Sequence, residues 1–169
     1  MRNFFIDAGR YDFGVNLFND FLPKRVFAGL VDAKAFNGNM GMSPFNFGTF
    51  NLEAIKVVTN GVITPTDPYS FNWPQKVYGR AYKDLNDATD ESHGISVQKF
   101  LKHSAIFAFD LQALRVKGFI EPQSIGATTI SLKFKEPVPP NGLQLIIFGE
   151  FNSILALDKT RTITTAMSV

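Results

Sequence analysis

The chain has 169 residues, 45% of them apolar, a formal charge of +2 and no cysteine. That length can bury one proper core without crosslinks, and the missing cysteines exclude structural disulfides and thiolate metal sites. The 17 Lys and Arg are scattered with no run of three, so no basic patch marks a nucleic-acid site.

At the N-terminus, Asp7 and Arg10 interrupt the sequence before the hydrophobic core of a signal peptide can form, and no apolar run reaches the ~18 residues of a membrane span. Neither an export signal nor an anchor is expected. Arg25–Val31, RVFAGLV, follows a proline and reads as a mostly buried strand.

Ala35–Asn51, AFNGNMGMSPFNFGTFN, carries four Phe, four Asn, three Gly and no charge. Gly and Asn permit tight backbone positions and Pro44 stiffens the approach to Phe45 and Phe47. Phe36, Phe45, Phe47 and Phe50 are therefore expected to anchor a long ordered connection, closing over their own domain or a neighbour's.

Leu52–Val58 alternates in part as a strand. Thr59-Asn60-Gly61-Val62 is a strong hairpin signal, because Asn-Gly tolerates the positive φ of a type I′ turn. The returning strand is expected to run from Val62 to Thr64 and stop at Pro65.

Thr66–Pro74, TDPYSFNWP, reads as a proline-punctuated loop with Tyr69, Phe71 and Trp73 as further packing or interface residues. Stacking on a sugar or base would need a convergent polar set or a basic groove beside them, and the sequence shows neither. Gln75–Ala81 reads as a short strand, and Asp84–Gly94, with acids at 84, 87, 90 and 91, as a solvated loop. Ser96 is placed to cap a small helix over Val97–His103 with Phe100 and Leu101 turned inward. Ala105–Leu111 is again strand-like.

Thr128–Phe134 alternates cleanly, with Ile130, Leu132 and Phe134 to one side and Thr129, Ser131 and Lys133 to the other. Pro137, Pro139 and Pro140-Asn141-Gly142 supply the next turn. Leu143–Leu157 is a long β run in which Gly149 marks a bulge or a close approach. Thr160–Thr165 adds an edge strand. The sum is a single all-β domain over 1–169: a jelly-roll β-sandwich with long inter-strand loops and one short helix.

Catalytic chemistry is thinly represented. His93 lies near Asp90 and Glu91, and His103 ends the small helix, without metal-ligand spacing. The serines lack a nucleophile-elbow context, and GNMGMS lacks the Lys-Ser/Thr of a phosphate loop. Asp110 and Glu150 are expected to bind backbone N–H groups or cationic partners. No cofactor, metal or small-molecule substrate is expected, and the chain is not read as an enzyme.

Several blocks in order resemble a known family: Leu-Pro-Lys-Arg at 22–25, AFNG at 35–38, SPFNF at 43–47, and the strand closing at Asn60-Gly61. Arg80-Ala81-Tyr82, FAFDL at 107–111 and FGEFNSILALDKTRTI at 148–163 continue the series. Over roughly 20–163 the chain is similar to the C-terminal jelly-roll region of the double jelly-roll major capsid (hexon-like) proteins of Polinton- and adintovirus-type DNA viruses and related capsid-derived genes. The resemblance implies a structural protein that self-assembles through its sandwich sides and loops into trimers or larger bodies, with other capsid proteins as further partners. It implies a place in a virion or at an intracellular site of assembly. Since family members carry two jelly rolls, the chain corresponds to one of them, as a fragment, a split-gene product or a standalone domain. A jelly-roll module binding a glycan or peptide is the other reading that the residues leave open.

Overall fold

A computed structural model describes residues 1–89, 93–112, 124–157, 159, 161 and 163–166. Eight strands build two facing antiparallel sheets: β1 (Arg2–Ile6), β2 (Asp12–Phe18), β3 (Arg25–Asp32), β4 (Leu52–Thr59), β5 (Val62–Ser70), β6 (Ile106–Asp110), β7 (Thr128–Phe134) and β8 (Leu143–Glu150). One sheet has the order β1-β8-β3-β6 and the other β2-β7-β4-β5. Successive strands cross between the sheets except at the β4–β5 hairpin, which is the strand order of a jelly roll. A separate two-stranded sheet pairs β9 (Ile154–Leu157) with β10 (Ile163–Ala166).

Alternation explains the core. Ile130, Leu132 and Phe134 of β7 point inward with Leu52, Ile55 and Val57 of β4, and meet Leu143, Leu145 and Ile147 of β8 with Val26, Ala28 and Leu30 of β3. The Asn60-Gly61 turn has φ of 47° and 83°, as a type I′ turn requires, and joins Thr59 to Val62.

The structure departs from the sequence reading in five places. β1 and β2 are strands that the sequence reading left unassigned, because RNFFI and DFGVNLF are short and lack strict polar–apolar alternation. β5 passes Pro65 and Pro68 to reach Ser70, since it is an outer strand where a missing N–H breaks no ladder, and its register slips there between Ile55 and Val57. The expected strand over Gln75–Ala81 is instead a turn, bridged Asn72 to Val77, that runs into α2.

Helix α2 (Gly79–Ala88) occupies much of the expected solvated loop. Its acids lie on one side, while Ala81, Leu85 and Ala88, at i, i+4 and i+7, are buried. Together with α1 (Ala33–Phe36) and α3 (Val97–Lys102), this makes three helices among the described residues, against the single one expected. α3 agrees with the sequence: Ser96 Oγ accepts from Lys99 N and Phe100 is fully buried. Finally, the long run Leu143–Leu157 is broken after Glu150, so β9 lies outside the sandwich.

Candidate assembly surface

The Phe-rich connection between β3 and β4 is held at both ends. Asp32 caps α1, its Oδ1 accepting from Lys34 N at 2.8 Å and Ala35 N at 3.4 Å, and Ala33 and Ala35 are buried. The chain returns where β3 and β6 splay apart. There Phe47 N donates to His103 O, Ala105 N to Phe47 O and Gly48 N to Leu30 O, each at 3.0 Å. Phe47 lies over Gly29 and Phe50 over Gly48, positions where a Cβ would stand 2.6 and 2.8 Å from the ring. Phe50 and Asn51 then take φ of 43° and 51° to enter β4.

Between those anchors the tip is bare. Phe45 is 77% exposed, Met40 is fully exposed, and Phe36 and Met42 are each more than a third exposed. The expectation that the phenylalanines act as anchors thus divides: Phe47 and Phe50 pack onto their own domain, while Phe36 and Phe45 face outward.

Tyr69, Phe71 and Trp73 form an interior stack. Phe71 lies 4.8 Å from Trp73 and 5.3 Å from Phe107, Trp73 stacks on Tyr78, and Phe100 of α3 meets Phe107 edge-on at 6.0 Å. Tyr69 and Phe71 are buried, and the Trp73 indole N–H donates to Leu52 O at 2.8 Å. Tyr69 Oη lies 2.6 Å from Asp84 Oδ2 and 3.2 Å from Ala108 O. These rings fasten α2 and α3 against β5 and β6, so Tyr69 and Phe71 have no free face for a ligand.

The two sheets differ on their outer faces. Asp12, Asn16, Lys56, Thr129, Ser131 and Lys133 cover the outside of β2-β7-β4-β5, with Lys133 paired to Glu53 at 3.0 Å. The outside of β1-β8-β3-β6 is apolar. Phe148 sits opposite Phe27 at 6.2 Å between ring centroids, Ile146 opposite Gly29, and Gly29 opposite Ile106. Phe5 and Phe148 are 50% and 52% exposed. α1 and Phe47 cover one end of this face, and the rest is uncovered by the described residues.

This surface escaped the sequence reading, although the signal is visible. LQLIIFG and RVFAGLV are apolar on both faces, which in an antiparallel sheet means that both sides are meant to be covered. At one edge of the face Glu150 lies 3.8 Å from Lys24 and 3.7 Å from Arg25, as expected for a cationic partner, and Asp110 Oδ1 accepts from Gln112 N.

Where β8 leaves the sandwich there is a cavity of about 460 Å³, lined by Arg2, Phe18, Asp20, Phe21, Phe151 and Ser153, among others. Phe18 and Phe151 meet edge to face at 5.0 Å, and the Arg2 guanidinium lies 5.0 Å above Phe18. Gly149 is the close approach expected there: a Cβ would stand 2.7 Å from the Phe18 ring.

His93 Nδ1 accepts from Ile95 N, and His103 Nδ1 lies 2.9 Å from Ser104 Oγ. Asp90 and Glu91, the acids considered with His93, lie outside the described residues. Among the described residues no three His, Asp or Glu are grouped as metal ligands, and no helix is long and apolar enough to cross a membrane.

No protein-family model matches the chain, and no solved structure matches it. An uncharacterized protein of Caenorhabditis elegans is 30% identical to it over 170 residues, an alignment covering 95% of this chain and 41% of that protein. The chain therefore spans about two fifths of the length of the curated relative that it matches.

Proposed function

We propose that the chain is a structural jelly-roll subunit of capsid-like type that assembles with copies of itself. The observation carrying this reading is the asymmetry of the sandwich. One outer face is polar as solvent requires, while the other presents Phe5, Phe27, Ile106, Ile146 and Phe148 on strands apolar on both sides. Uncovered apolar surface of this kind is a site of association. The jelly-roll strand order agrees with it, as does the ordered block series shared with hexon-like proteins. A place in a virion or at a site of virion assembly is part of the same proposal.

Mass photometry and analytical ultracentrifugation of the whole chain test the reading. The wild-type protein is expected to form trimers or larger bodies, and Phe148→Asp to shift it towards monomer without lowering its melting temperature, because Phe148 is half exposed already. A wild-type chain that stays monomeric at high micromolar concentration overturns the proposal.

A further inference from the structure

The exposed tip of the Phe-rich connection and the aromatic cavity lie at opposite ends of the same strands. Asp32, which leads into α1 and the tip, pairs with Leu143 at one end of β8. Arg25 pairs with Glu150 at the other end, where Phe151–Ser153 and Arg2 open onto the cavity. Eight residues of strand separate these ends by roughly 23 Å. The tip is also tied down by α1 and by the Phe47–Gly48 hydrogen bonds, so it cannot fold back into its own cavity.

Resting on the reading that the chain self-assembles, we infer that the Phe45 tip of one copy inserts into the cavity of Phe18, Phe21 and Phe151 on the next, a head-to-tail contact. Every copy carries both halves, which makes a second copy the occupant. The chemistry of the two halves agrees. Residues 35–51 bear no charge, so insertion strands no ion in an apolar site. The charged lining residues Arg2 and Asp20 are opposite in sign and exposed, leaving the aromatic rings to take the incoming side chain.

The area is also of the required order. Phe36, Met40, Met42 and Phe45 together offer on the order of 400 Å² of exposed side chain, about half of the ~800 Å² per partner in a stable interface. The rims of tip and cavity supply the remainder. A contact between two different patches closes into a ring if its rotation divides a full turn, and otherwise propagates as a filament.

Because the chain has no cysteine, site-directed disulfide trapping reads the contact directly. Phe45→Cys and Ser153→Cys chains, mixed and oxidised, are expected to give a 45–153 linked heterodimer. A mixture of Phe45→Cys with Lys133→Cys, on the polar face, is expected to give none above background. Phe45→Asp is expected to raise the dissociation constant of the assembly about tenfold or more while leaving the melting temperature unchanged. Dominant 45–45 links, or a 45–153 yield no higher than the Lys133 control, overturn the inference. If Phe148→Asp dissociates the assembly and Phe45→Asp does not, the sheet-face reading stands and this contact falls. If the wild type is monomeric, both fall.

Discussion

Gly29 and Phe47 share one space: a Cβ on residue 29 would stand 2.6 Å from the Phe47 ring, which lies against β3 only because residue 29 has no side chain. This pairing decides where the Phe-rich connection lies, and therefore which phenylalanines remain at its tip. Gly29→Ala is expected to destabilise the domain by about 1–3 kcal/mol through overpacking. At this chain length that lowers the melting temperature by about 2–4 °C per kcal/mol. Gly79→Ala is the contrast. Nothing lies within 4 Å of its Cβ position and it opens α2, so a gain of about 0.4–1 kcal/mol is expected from the reduced entropy of the unfolded chain. Differential scanning calorimetry of the two variants checks both signs.

Tyr69 Oη and Asp84 Oδ2, 2.6 Å apart, join α2 to β5 in a part-buried site. Tyr69→Phe keeps the ring stack with Phe71 and Phe109 and deletes only the hydroxyl. The expected loss is about 1–3 kcal/mol, since a carboxylate is left with less compensation. Urea denaturation of Tyr69→Phe, Asp84→Asn and the double variant gives the coupling directly. A coupling near zero would mean that the hydrogen bond adds nothing to the attachment of α2.

Arg25 donates to Ala88 O at 2.6 Å, reaching the C-terminal turn of α2, which has no basic residue of its own. The same guanidinium lies 3.7 Å from Glu150. A cation is favourable at a helix C-terminus, and the planar fork can serve two acceptors where an ammonium serves them less well. Arg25→Ala is expected to cost about 1–2 kcal/mol, with Arg25→Lys recovering only part of it. Hydrogen exchange at α2 amides is expected to accelerate in both variants, more in the alanine.

Trp73 is the chain's one tryptophan, and it stacks between Phe71 and Tyr78 with its N–H satisfied by Leu52 O. Its fluorescence therefore reports on the join between the helices and the sandwich. On denaturation the emission is expected to shift to the red in a single transition that coincides with loss of the far-UV circular dichroism of the strands, as two-state unfolding requires. An earlier fluorescence transition would show that α2 and α3 detach as a separate unit.

Ser96 Oγ caps α3 through Lys99 N, and α3 carries the fully buried Phe100. Ser96→Ala is expected to cost about 1 kcal/mol and Ser96→Asp almost nothing, both measured by thermal denaturation.

The sequence by itself determined the parts whose signals are local. The period-two pattern of Thr128–Phe134 gives β7 its two faces, because side chains alternate along any strand. Asn60-Gly61 specifies its turn through the φ angles that those residues tolerate, and Ser96 marks the start of α3 through the N–H groups a helix leaves open. The abundance of such strands and the length of their connections were enough for an all-β sandwich.

Only the tertiary structure decided the rest. α2 was hidden because its buried face is just Ala81, Leu85 and Ala88, and its other side chains have no reason to be apolar. β5 runs past two prolines because it is an outer strand, a fact of sheet order that no local pattern contains. Burial of Tyr69 and Phe71 and exposure of Phe45 follow from what packs against each segment, since equally apolar side chains carry no mark of which neighbour will cover them. The apolar outer face of β1-β8-β3-β6 arises in the same way: Phe5, Phe27, Ile146 and Phe148 come from three separate stretches and become one surface only when the strands pair.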